Sequence, residues 1–131
     1  FGNKKRNGYR HLFGVSQLCL LYSIRFQLDQ ELCAIMGLLH DYSVYKNNTS
    51  FNHAVLSSEL AEKLLKETLL FDEKEIEIIV EAIKNHSTKN KRHDTYSELL
   101  KMCDVVDSYL HEPEMMLDHD RKYYLEKWRN L

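Results

Sequence analysis

The chain has 131 residues, with 18 Lys and Arg against 20 Asp and Glu for a net charge of −2. Hydrophobic residues make up 44% and charged residues 29%, which excludes collagen-like and disordered classes and fits one domain over 1–131. The near-neutral balance gives no basis for a nucleic-acid or anionic-membrane partner, and no apolar run reaches the roughly 20 residues of a membrane span.

Residues 1–8 are basic and rich in Gly and Asn, and read as a frayed lead-in. Leu12, Val15, Leu18, Cys19 and Tyr22 then recur at three and four, predicting a helix over about 9–27. Asp29 caps a second helix, 31–41, whose Leu32, Cys33, Ala34, Ile35, Met36, Leu38 and Leu39 are apolar nearly all round, the mark of a central helix. Residues 42–51 read as a loop, in which Tyr42, Tyr45 and Phe51 either line a pocket or cover the core edge. Asn52 caps a helix over 53–69 with Leu56, Leu60 and Leu64 as its inward stripe. Asp72 and Glu75 form a capping box for a helix over 73–86 that turns Ile76, Ile79, Val80 and Ile83 inward. The stretch 59–81 holds eight acidic residues against three Lys, a solvated face.

After a polar loop at 87–94, Thr95 and Glu98 form a second capping box for a helix carrying Leu99, Cys103, Val106 and Leu110. Pro113 suits the first turn of a last helix ending near Trp128. With only 4 Gly and 1 Pro, an all-β sandwich is excluded, and the fold class is all-α, a compact bundle of about six helices. The three cysteines, Cys19, Cys33 and Cys103, are widely spaced, without a CxxC. They read as reduced core thiols of a cytoplasmic protein and exclude a thiolate zinc site.

The histidines are not scattered at random. His11 shares the face of Val15 and Leu18, and His40 and Asp41 end the most apolar helix. His53 lies three before Leu56, and His86 three after Ile83. Asp104 and Asp107 follow Leu100 and Cys103 by four. A lone inward histidine is ordinarily a hydrogen-bonded core residue. Several imidazoles and carboxylates facing one core must each be satisfied, and a divalent metal ion does so at once. Nitrogen and oxygen donors without sulfur suit Mn, Fe, Zn, Mg or Co.

The order His11, GLLHDY, His53, NHS around His86, and KMCDVVDSYL resembles the HD-domain superfamily of metal-dependent phosphohydrolases over about residues 9–111. The resemblance implies a metal site in the helical core, with His11, His40, Asp41 and Asp104 as ligands and Asp107 orienting a ligand imidazole. The assignment between Asp104 and Asp107 stays open. In members with two ions, His53 and His86 add a second site and Asp41 bridges the pair, its catalytic role.

Diadenosine-tetraphosphate-cleaving members look similar through HDY and the Ile-x-x-His element. They and the HDIGK-type cyclic-dinucleotide enzymes carry Lys three after the doublet Asp, where Val44 stands here and Lys46 follows two later. That departure argues against the cyclic-dinucleotide subfamily and leaves the catalytic charge to Lys46, after a loop shift, or to another cation.

Lys89, Lys91 and Arg92, in the loop after His86, are candidate substrate-binding cations or a solvated turn. Arg10, beside His11, points about 100° away from it on a helix. His111 and His119 stand in an acidic stretch and read as surface residues. The expected substrate is a small phosphorylated compound, a nucleotide above all, and a homodimer is left open. The alternatives are a catalytically silent regulatory or nucleotide-binding module, and an oxygen-using di-iron member of the same superfamily.

Overall fold

A computed structural model of the chain describes residues 2–47 and 52–131, with side chains from 8 to 46 and from 52 onward. Phe51 lies outside the described residues. The elements are α1 (Gly2–Phe26), α2 (Gln30–Leu39), α3 (Tyr42–Asn47), α4 (His53–Thr68), α5 (Glu73–Asn85), α6 (Thr95–His111) and α7 (His119–Arg129). Among the described residues every regular element is a helix, and none is long and apolar enough to cross a membrane.

Several helix ends follow from local chemistry. Asp29 accepts from the Leu32 amide at 2.9 Å, and Asp72 and Glu75 close a capping box at 2.8 and 2.9 Å. Gln27 ends α1 in the left-handed region at φ 57°, where Leu28 N donates to Ser23 O at 2.9 Å and satisfies a terminal carbonyl.

Other ends depart from the sequence expectation. The backbone is helical from Gly2, so 2–8 continue α1 rather than fraying ahead of it. The segment read as a loop after the doublet holds α3. Asn52 sits in the left-handed region at φ 50° and makes no side-chain cap. Asp94, not Thr95, caps α6, because the Glu98 carboxylate is drawn to Lys101, Tyr124 and the His93 amide instead of the Thr95 amide. Pro113 lies in a turn closed by Met115 N to Glu112 O, and α7 starts six residues later under Asp118.

α1 packs on α2 and α6, α2 on α5 and α6, α5 on α4 and α6, and α7 on α6. The central element is therefore α6, buried along almost its whole length, rather than α2, whose Leu38 is 36% exposed. The core gathers Val15, Cys19, Met36, Ile79, Ile83 and Leu100. The three cysteines are buried free thiols.

α4 turns inward not its leucine stripe but Ala54, Ser57, Ser58, Ala61 and Leu65, leaving Leu64 40% exposed. Small side chains let its backbone come close, and Ser57 Oγ accepts from the Ser43 amide of α3 at 3.0 Å. Gly37 does the same for α2 against α1. A Cβ there would stand 2.8 Å from Ser16 Cα, so only glycine admits that approach without a shift.

Candidate metal centre

His40 and His86 are placed by the same local device. Each caps the C-terminus of an apolar helix, α2 and α5, and each turns Nδ1 back to the carbonyl three residues earlier, Gly37 O and Ile83 O, both at 2.6 Å. That bond fixes the Nδ1–H tautomer and aims Nε2 into the bundle. His11, on α1, is held from behind by a carboxylate, with Nδ1 2.7 Å from Asp107 Oδ2. Gly14, one turn on from His11, makes room for that carboxylate, because a Cβ there would overlap Asp107.

The Nε2 atoms then converge on Asp41 and Asp104. His11 Nε2 lies 2.9 Å from Asp104 Oδ1 and 3.7 Å from Asp41 Oδ2. His40 Nε2 lies 3.3 Å from both Asp41 Oδ2 and Asp104 Oδ1. The other Asp41 oxygen, Oδ1, lies 3.1 Å from His86 Nε2 and 3.4 Å from His53 Nε2. Two potential ligand groups result, His11, His40, Asp41 and Asp104, and Asp41, His53 and His86, each with donor atoms within 4.8 Å of one another. Metal–donor bonds near 2.1 Å put neighbouring ligands about 3.0 Å apart and opposite ligands about 4.2 Å apart. The donor spacing and the sulfur-free donor set therefore fit a divalent ion.

The electrostatics record the same convergence. Burial lowers the His11 pKa, but hydrogen bonds to Asp104 and Asp107 carry it up to about 9. Burial also opposes charge on His40, yet Asp41 and Asp104 hold its pKa well above the ordinary value. For His86 burial prevails and lowers it. Burial disfavours the Asp104 carboxylate, while Lys89, His11 and His40 hold its pKa well below the usual range.

The remaining candidates fall in four places. Lys89 reaches the cluster, donating from Nζ to Asp104 Oδ2 and to His86 O, both at 2.9 Å. Arg92 is stacked on Tyr123, 3.6 Å from the ring centroid, and donates to Tyr124 Oη at 3.2 Å, partners that belong to α7 and not to the cluster. Lys91 is exposed, and its carbonyl accepts from Lys101. Lys46 lies over the Tyr42 ring, 5.5 Å from the centroid, beside an apolar groove formed with Tyr9, Phe13 and Leu38. α3 turns it there, whereas a loop would have left its direction open.

A cavity of about 660 Å³ opens from His11, Asp41 and Asp104 and is lined further by Arg10, Tyr45, His111, Glu112 and Arg121. Sequence reasoning turned Arg10 away and read His111 as surface. It had no signal for Arg121, which arrives through the irregular turn before α7. His111 Nδ1 donates to Asp107 O at 2.8 Å, the ordinary reach of a last-turn histidine to the carbonyl four back.

The HD domain family model matches residues 8–110. The fold is similar to the crystal structure of a predicted HD superfamily hydrolase from an uncultured Thermotogales bacterium. The match has a TM-score of 0.64 and 22% identity, and covers 91% of this chain and 72% of that one. No curated protein matches the chain. With the family model running from within α1 into the last turn of α6 and every residue of the two ligand groups inside it, the chain belongs to the HD domain family.

Proposed function

We propose that the protein is a metal-dependent phosphohydrolase that cleaves a phosphoester or phosphoanhydride bond in a small phosphorylated compound, a nucleotide above all. The observation that carries this reading is the pairing of the imidazoles. His11, His40 and His86 each have an acceptor against both ring nitrogens. A ring so placed is either an imidazolium or has its second nitrogen on a cation. The rings of His11, His40, His86 and His53 follow one another with centroids 5.2, 4.9 and 5.1 Å apart, so protonating all of them sets like charges side by side. Neutral rings around a divalent cation remove that conflict.

His11, His40, Asp41 and Asp104 would hold one ion, and Asp41, His53 and His86 a second. A divalent ion of the Mn, Fe, Zn, Mg or Co type lowers the pKa of a coordinated water toward neutrality and withdraws charge from a phosphoryl oxygen. The chain's own residues do the rest. Asp107, Gly37 O and Ile83 O keep the protons of His11, His40 and His86 on Nδ1, so that Nε2 stays free to act as a ligand. Asp41 turns its two oxygens to the two ligand groups, His40 on one side and His86 on the other. Lys89 steadies Asp104, setting its positive charge against that carboxylate.

Tyr45 lines the cavity, and burial together with Asp41 and Asp104 pushes its phenol up to about 12, so it stays an O–H donor. Its ring offers a face to a nucleobase, and about 660 Å³ is room for a nucleotide. The test is phosphate release by protein reloaded with Mn²⁺, Zn²⁺ or Mg²⁺, offered p-nitrophenyl phosphate and nucleoside mono-, di- and triphosphates. Metal-dependent turnover is expected, and its absence with every compound contradicts the reading.

A further inference from the structure

Resting on that hydrolase reading, we propose that the cavity beside the His/Asp cluster selects a phosphorylated compound with a second anionic group, held by Arg10 and Arg121. The cavity, at about 660 Å³, is far larger than one phosphoryl group needs. One wall is the ligand cluster, with His11, Asp41 and Asp104, and the rest of the lining includes two arginines from opposite ends of the chain.

Arg10 precedes His11 on α1, so whatever is bound at His11 lies within one residue of it. It is exposed, and among the described residues it has no hydrogen bond or ion pair that would tie up its guanidinium. Arg121 stands in the first turn of α7, its guanidinium paired among the described residues only with Asp118, the residue that caps the helix. The two side chains of that pair are 44% and 55% exposed. A pair so exposed is worth about 0–1 kcal/mol, and an incoming phosphate, with two charges and several acceptor oxygens, competes well for the arginine.

The other lining charges do not reverse this. Asp41 and Asp104 would be neutralised by the ions they hold, which leaves Glu112 against two arginines. His111 is not counted with them, because its Nδ1 is turned back to Asp107 O on its own helix. Arg92 and Lys46 do not reach this cavity, the first being held on Tyr123 and the second over Tyr42. Arginine rather than lysine at both positions suits fork-like recognition of phosphate oxygens.

The experiment is calorimetric titration of Mn²⁺-loaded protein with hexyl phosphate and with hexane-1,6-diyl bisphosphate, which differ by the second phosphate. Wild type should bind the bisphosphate at least about tenfold more tightly. The double variant Arg10→Ala/Arg121→Ala should lose that advantage, each single change should lose part of it, and Arg121→Lys should restore some. Both side chains are exposed, so circular dichroism should show the fold unchanged. Equal affinity of wild type for the two compounds, or an advantage that survives in the double variant, overturns the proposal. Turnover of p-nitrophenyl phosphate with and without Mn²⁺ is measured separately. If it fails, the hydrolase reading falls while the titration still decides the subsite.

Discussion

α6 carries two buried polar clusters one turn apart, and they are built on opposite principles. Around Lys101 the ammonium donates to Lys91 O at 2.9 Å, His93 Nδ1 at 2.7 Å and Glu98 Oε2 at 2.7 Å, three acceptors for its three N–H bonds. Glu98 in turn accepts from Tyr124 Oη at 2.9 Å and from the His93 amide at 3.0 Å. The charge is supplied by the chain and the network is closed. Around Asp41 and Asp104 the chain instead gathers carboxylate oxygens and imidazole Nε2 atoms, with Lys89 as the one ammonium paired to them among the described residues. A closed network that contains its own cation is architecture. A cluster of ligand atoms that must recruit protons to coexist could instead hold a cation from outside.

The contrast is broken most severely at Asp41. Asp41→Ala removes the carboxylate shared by both ligand groups, and metal-stimulated hydrolysis should fall by roughly 10²–10³-fold or more while metal content drops. Phosphate release and elemental analysis check this. Stability of the metal-free protein should fall as well, since the buried His40 ring loses a carboxylate that holds it charged.

Lys101→Met should do the reverse. It leaves the Glu98 carboxylate buried without its cation and should cost about 3–5 kcal/mol in urea unfolding, yet leave metal stoichiometry intact in the folded fraction. Metal lost in step with stability would erase the distinction between the two clusters.

A smaller effect is expected behind the ligands. Asp107→Asn keeps the shape but removes the charge that holds His11 Nδ1–H, and metal affinity measured by competition with a chelator should weaken about 10–100-fold.

The last effect is graded with pH. In the metal-free protein the His11 pKa stands near 9 against an ordinary value of 6.5. The protonated ring therefore stabilises the fold fully below about 6.5, progressively less between 6.5 and 9, and not above that window. A metal ion must displace the same proton. Affinity should rise across the window by about tenfold per pH unit for each proton released, while the stability of the metal-free protein declines.

What the sequence shows best is what is decided within a few residues. Asp29 and the Asp72–Glu75 box cap their helices because donor and acceptor lie three apart. The inward histidines are legible for a related reason, since helical period alone sets which face His11 and His86 share with Val15 and Ile83. The capping-box pattern at Thr95 and Glu98 misleads because Lys101 and Tyr124 compete for the same carboxylate, and Tyr124 is 26 residues away. The leucine stripe of α4 misleads because small residues pack closer than large ones, a preference that depends on the neighbouring helix.

The cavity is the least legible part. His11 meets Asp107 across 96 residues, and Arg121 reaches the same region through a turn whose path no periodicity predicts. Lys46, chosen for its nearness to the doublet in sequence, is carried off to Tyr42 by a helix that the polar run Asn47, Asn48, Thr49 and Ser50 concealed.

The most direct measurement is nitrogen NMR of the histidine rings at neutral pH, before and after adding Zn²⁺ to metal-free protein. The account predicts that His11 and His40 start as imidazolium and, at one or two equivalents, lose the proton on Nε2 while keeping the one on Nδ1. Ring signals that stay unchanged in excess Zn²⁺, or that lose Nδ1–H instead, would contradict it.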